Sequence, residues 1–385
     1  MAQSYSFRMP TALIAGPGSA GQSGAQAKAL GASRALVVTD PVIAKTPHLA
    51  TVTESLAAAG LAYEVFDRVE PDPSIDVVEK NAAEVARGAF DAFVALGGGS
   101  SIDVAKGLRL LAQFGGKLRD YAPGDKVPGD LKAPLIAIST TAGTGSQVSY
   151  GAVFSDLARG TKFAVVSPKM APTLALNDPI VTMGAPPSVT GNAGMDALAH
   201  AVESYISKNA NPMADAWSLE AVRVIGENLP KVMADGNDLE ARDAMLMAST
   251  IAIVPASICG LGADHAVAMP LCSLLHLPHG LVVGMMLASV MEYNLEARTD
   301  RLAKVAAALG VDVRGMPERE AAAAGVRRVR ELAGIARLPG GMRALGLGED
   351  LIPKVAELTM ESFQVNFNPR QMTADSVADM LRRSL

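Results

Sequence analysis

Cysteine is almost absent from this chain of 385 residues: Cys259 and Cys272 are the only two, both in apolar surroundings. That argues against a framework disulfide and for a reducing cytoplasm as the expected setting. No cluster of lysine and arginine stands out, and the net charge is −5. Nucleic acid is therefore not an expected partner. The opening stretch MAQSYSFRMPTALIAG lacks a basic region followed by a long apolar run, so no signal peptide is expected. One uncharged run of about 20 residues, between Asp243 and Asp264, is long enough to span a bilayer. Pro255, Gly260, Gly262 and the missing basic anchors and aromatic belt point instead to a buried core helix.

What the chain has is apolar bulk. Hydrophobic residues make up 49% of it, enough for a large core and more than one ordinary domain holds. Residues 11–40 read as strand, turn, helix and strand, with G-x-G-x-x-G at Gly16, Gly18 and Gly21. Asp40 follows at the distance expected of an acid that bonds the adenosine ribose and repels a 2′-phosphate. The glycines alone could equally make only a tight turn into a helix.

A second loop is more pointed. DAFVALGGGSSIDVAKGLRLL predicts a strand over 92–96, then Gly97, Gly98 and Gly99, then a helix opening near Ser100. Ser100 and Asp103 have the spacing of a capping box. Glycines there let backbone approach a ligand, and the exposed N–H groups at a helix start favour a diphosphate. A third loop, Thr140, Thr141, Ala142, Gly143, Thr144, Gly145 and Ser146, sets hydroxyls at a strand end, where they suit a polar cofactor. Alternating strands and helices imply a mostly parallel sheet.

From about Pro186 onward, Ala/Leu/Met-rich helical patterns take over, interrupted at 209–212, 235–238 and 338–341. The expected division is an α/β dinucleotide-binding domain over 1–185 and an all-α domain over 186–385. In TGNAGMDALAHAVESYIS, Asp196 and His200 are four apart and project from one helix face. A carboxylate and an imidazole so placed can bind one metal ion. His265 and His279 would stand about 21 Å apart on a continuous helix, but Pro270 and Pro278 can break the segment and fold it back. The residues permit a metal site, and equally permit hydrogen-bonded core histidines.

GGGSSIDVAK, TTAGTGS, LNDP followed by GMDALAHAVESY, LGADH, LPHG and the closing NPR at Asn368–Arg370 together resemble the iron-containing (group III) alcohol dehydrogenase family. The likeness runs in order through nearly the whole chain. It implies a dehydroquinate synthase-like fold: an α/β N-terminal nucleotide-binding domain, an all-α C-terminal metal-binding domain, and an active site between them. It implies that Asp196, His200, His265 and His279 ligate Fe²⁺, or Zn²⁺ as in some members. It also sets Asp40, Gly98, Gly99, Ser100, Asp103, Thr140, Thr141, Thr144 and Lys162 around NAD. A dimer is implied as well.

Three positions depart from the family pattern. Met269 stands where members carry a histidine credited with relaying the alcohol proton, and His276 is the nearby titratable substitute. Gln147 replaces a usual Glu, and Ser167 a usual Asp. Asp196 argues against the metal-free maleylacetate reductase branch. The expected activity is NAD-linked oxidation of a small alcohol, or the reverse reduction of an aldehyde or ketone. A lyase of the dehydroquinate synthase type and a non-catalytic NAD- and metal-binding member are the alternatives.

Overall fold

The computed structural model describes residues 4–156, 158 and 161–385. They form two compact units, one of residues 9–141 and 145–183 and one of residues 4–8, 142–144 and 184–385.

The first unit holds eight strands: β1 (Ala12–Ala15), β2 (Arg34–Val38), β3 (Ala62–Phe66), β4 (Ala92–Gly97), β5 (Leu135–Ser139), β6 (Gly151–Asp156), β7 (Thr161–Val166) and β8 (Leu174–Asn177). Its helices are α1 (Ser23–Ala29), α2 (Pro47–Ala58), α3 (Ile75–Arg87) and α4 (Gly99–Phe114). Six strands make one parallel sheet in the order β1-β8-β5-β4-β2-β3. Alternate residues of the central strands face opposite sides. Val37, Val94, Leu96 and Ile138 pack with Ala27, Val52 and Leu56 of α1 and α2. Leu36, Phe93, Ala95 and Ala137 pack with Val78, Val85, Ile102 and Leu108 of α3 and α4. Both faces are covered, which is why these strands read as nearly unbroken apolar runs. The β6–β7 antiparallel hairpin was not anticipated in the sequence.

The second unit is helical: α5 (Pro187–Ile206), α6 (Pro212–Ala234), α7 (Leu239–Cys259), α8 (Ala263–Leu275), α9 (His279–Asn294), α10 (Thr299–Ala308), α11 (Glu318–Ile335), α12 (Ile352–Met360) and α13 (Ala374–Arg383). α5 runs through the middle, with Met195, Leu198, Val202 and Ile206 all within one apolar core. Its glycines make that possible: a Cβ on Gly191 would lie 2.2 Å from the Ala336 carbonyl oxygen, and one on Gly194 2.6 Å from a Leu229 methyl. α7 is long and apolar enough to cross a membrane, but two-thirds of its most apolar window (67%) is buried in the unit. It is a core helix, as its proline and hydroxyls suggest.

Candidate metal centre and nucleotide cradle

α5 presents Asp196 and His200 on one face, both buried. α8 supplies His265 at its third position, and α9 opens on His279. Pro270 does not break the chain as the sequence suggested; α8 continues through it. The reversal falls at His276, which takes a left-handed φ of 52°, and at Pro278, which caps α9. Two helices of ordinary length separated by that turn bring both rings back to α5.

Asp196 Oδ1 lies 4.0 Å from His200 Nε2, 3.7 Å from His265 Nε2 and 3.8 Å from His279 Nε2. The His200 and His265 rings stack at 4.7 Å, and those of His265 and His279 are 5.3 Å apart. Such spacings are too long for hydrogen bonds. Donors bound at about 2.0–2.2 Å around one ion lie roughly 3.3–3.6 Å apart in a tetrahedral shell; the ligand atoms of Asp196, His265 and His279 all lie within 4.8 Å of one another, and His200 joins them through Asp196 at 4.0 Å. Asp196 Oδ1 and His265 Nε2 are buried with no hydrogen-bond partner, a costly state for polar atoms unless a cation satisfies them. One carboxylate and three imidazoles suit iron or zinc.

Burial alone would lift the Asp196 pKa, but His200, His265 and His279 together pull it well below the carboxylate range. Burial lowers His200 to about 4, against the pull of Asp196. Burial also opposes charge on His265, yet Asp196 and Glu203 outweigh it and raise the ring to about 10.

Glu203 was missed in the sequence. Its Oε2 lies 2.7 Å from His265 Nδ1, and Oε1 accepts the Asp264 N–H at 2.7 Å. The signal was present: Asp196, His200 and Glu203 fall at i, i+4 and i+7, one face of the same helix. Asn368 of the NPR motif also serves α8, accepting the Ala263 N–H at 3.3 Å and exchanging side-chain hydrogen bonds with Asn294. Gly262 allows this, since its Cβ would press on Asn368 Oδ1 at 2.9 Å and Glu203 Oε1 at 3.1 Å.

Within the α/β unit, the ends of β2, β4 and β5 are neighbours and carry Asp40, Gly97 and Thr140. Gly97 has φ +154°, and a Cβ there would meet Ser101 Oγ at 2.3 Å and Asp40 Oδ2 at 3.5 Å. Gly98 caps α4, with the Thr141 side chain 3.5 Å from its added Cβ; Gly99 and Ser100 form the helix's first turn. The Thr140 N–H donates to the Gly97 carbonyl at 3.0 Å. Asp40 Oδ1 accepts the Val42 and Ile43 N–H groups at 2.9 and 3.0 Å, which fixes the carboxylate beside the glycines.

Several other candidate residues have partners within the protein. Asp103 makes no capping box, because its carboxylate accepts from Ser146 Oγ and from the Val153 N–H. Burial raises its pKa despite Lys106 beside it. Thr144 belongs to the short 142–144 segment grouped with the helical unit. Lys162 Nζ pairs with Asp72 at 2.7 Å. In the first glycine turn, the Gly18 and Ala20 N–H groups donate to the Asp178 carboxylate at 3.1 and 3.0 Å. These glycines make a turn whose amides are used internally, and LNDP supplies the acid. His276 is exposed. Ser167 accepts the Lys169 N–H, the short-cap role an Asp also fills. Gln147 is buried and Met269 half-buried.

Family models described as iron-containing alcohol dehydrogenase and as the C-terminal part of that family match residues 10–179 and 190–385. The chain belongs to the iron-containing alcohol dehydrogenase family. It is 35% identical over 379 residues to the NAD-dependent methanol dehydrogenase of Bacillus methanolicus, covering 98% of this chain and 99% of that one. It is 34% identical to the 1,3-propanediol dehydrogenase of Klebsiella pneumoniae, covering 99% and 98%. A solved 1,3-propanediol oxidoreductase superposes with a TM-score of 0.97 at 33% identity, covering 100% of both chains. The α/β and helical halves are thus those of iron-containing alcohol dehydrogenases, and the chain is an oxidoreductase acting on CH–OH groups.

Proposed function

We propose that this family member oxidises a small alcohol with NAD⁺, or reduces the matching aldehyde or ketone with NADH. The observation that carries it is Asp196 Oδ1 within 3.7–4.0 Å of three imidazole Nε2 atoms. Asp196, His200, His265 and His279 would hold Fe²⁺, with Zn²⁺ accommodated by the same donors. A divalent ion so held supplies Lewis acidity, lowering the pKa of a hydroxyl much as it lowers that of water from about 16 toward 7. The Asp196 carboxylate would offset the charge, and the three imidazoles would each offer the metal a nitrogen once deprotonated. NAD held by the Gly97–Gly99 loop would accept a hydride from the carbinol carbon, and the hydroxyl proton would leave to solvent.

For the cofactor, the Gly97–Gly99 backbone and the start of α4 would bind the diphosphate. The Asp40 carboxylate would accept from the adenosine ribose hydroxyls and repel a 2′-phosphate, which favours NAD over NADP. Thr140 and Thr141 offer hydroxyls beside the same loop. Asp103 and Lys162 would act by holding the β6–β7 side of this unit rather than by touching NAD. Two buried free thiols, Cys259 and Cys272, support work in a reducing cytoplasm, and the family likeness supports a homodimer, which sedimentation would check.

The test is metal analysis of anaerobically purified protein, joined to a panel of alcohols and aldehydes with Fe²⁺ or Zn²⁺ added. NADH accumulating with an alcohol is the expected result. Turnover without net NADH would indicate a lyase, and silence across the panel would overturn the reading.

A further inference from the structure

We infer that Glu203 is a positioning residue for the metal centre: it fixes the His265 ring with its proton on Nδ1 and its Nε2 lone pair toward Asp196. The inference rests on the four-ligand reading above. Glu203 is 2% exposed on α5, seven residues after Asp196 and three after His200. Its two oxygens are placed on the start of α8. Oε1 accepts the Asp264 N–H at 2.7 Å; Oε2 faces His265 Nδ1 at 2.7 Å and the His265 N–H at 3.4 Å.

A carboxylate can only accept, so the Nδ1 facing it must carry the proton. A neutral imidazole has one N–H, which leaves Nε2 as the lone-pair nitrogen. That nitrogen is the one 3.7 Å from Asp196 Oδ1, and it has no other partner. The same carboxylate sits at the positive end of α8, where negative charge is favoured, so helix start and ring are held by one group. Both the ring's rotation and the nitrogen that keeps its proton when a metal binds are thereby set. Partners of this kind raise ligand basicity, and losing one costs 10–100-fold in metal affinity in typical sites.

The experiment is titration of the chelator-stripped full chain with Zn²⁺ and Co²⁺, comparing wild type with Glu203→Gln. The variant keeps the shape and one acceptor oxygen but can present an N–H to Nδ1. The expected result is about 10–100-fold weaker affinity and a changed Co²⁺ visible spectrum, read on protein whose circular dichroism matches wild type. Equal affinity and an unchanged spectrum would overturn the inference, since a group that only caps α8 would alter the unfolding temperature and not the coordination. If Glu203→Gln does not fold, ¹⁵N-histidine NMR of Zn²⁺-loaded wild type decides: a proton on His265 Nδ1 with the metal on Nε2 supports the assignment, and the reverse arrangement overturns it. Wild type that binds neither ion sinks the four-ligand reading itself, a separate outcome.

Discussion

A methyl group on Gly280 would lie 2.7 Å from the backbone oxygen of Asn192 and 3.3 Å from the Cβ of Asp196. The start of α9 therefore rests directly on α5, and His279, the preceding residue, reaches Asp196 only because position 280 has no side chain. Gly280→Ala should push α9 outward, costing about 1–3 kcal/mol as overpacking does. Metal affinity should fall with it. Urea denaturation and Zn²⁺ titration measure the two effects; unchanged affinity would show that this contact does not place His279.

Asp196→Ala removes the one carboxylate that three imidazoles share. The variant should lose metal occupancy and turnover while still binding NAD, because Asp40, Gly97, Gly98, Gly99, Thr140 and Thr141 lie in the other unit. Metal analysis and calorimetric titration with NAD separate these results. Retained activity would contradict the ligand assignment outright.

These two sites differ in how far the sequence disclosed them. Asp196 and His200 were legible because helical spacing alone puts them on one face. The return of His265 and His279 was legible only as a possibility, and for a partly wrong reason, since Pro270 stays inside α8. Proline ends helices on average, yet packing around α8 overrides that cost here. The parallel sheet was readable from its alternating pattern, whereas the β6–β7 hairpin was not. Asp103, Asp178 and Glu203 show the harder limit. A carboxylate's partner is chosen by tertiary contact, and Asp178 meets Ala20 across 158 positions. No local rule could assign that acid to the first glycine turn, so phosphate binding and a plain tight turn stayed equally open there.

Asp40 allows a cleaner cofactor test than deletion would. Its Oδ1 already accepts two backbone N–H groups, from Val42 and Ile43, so removing the side chain would disturb the loop as well as the site. Asp40→Asn keeps an acceptor oxygen and removes the negative charge that repels a 2′-phosphate. The ratio of kcat/KM with NAD to that with NADP should fall about tenfold or more, a change of roughly 1.4 kcal/mol or greater. An unchanged ratio would remove Asp40 from cofactor choice.

Lys106 offers a test of the α/β unit by itself. It is wholly buried, donating to Ser146 Oγ at 3.0 Å and to the Gly151 carbonyl at 2.7 Å, with Asp103 at 3.6 Å. Lys106→Met takes the cation from the Asp103 carboxylate, which keeps its bonds from Ser146 and Val153, and should cost up to about 3–5 kcal/mol. Changing Asp103 to Leu at the same time should cost less than the sum of the single changes. Burial lowers the Lys106 pKa from the ordinary 10.5 to about 8, against the pull of Asp103. Between those pH values the unfolded chain holds the proton that the folded one has released, so this group's contribution to stability rises as pH rises. Wild type should therefore gain stability relative to Lys106→Met between pH 8 and 10.5, measured by urea denaturation across that window. No gain over the same interval would mean that the buried ammonium keeps its charge and that the pair, rather than its desolvation, governs the site.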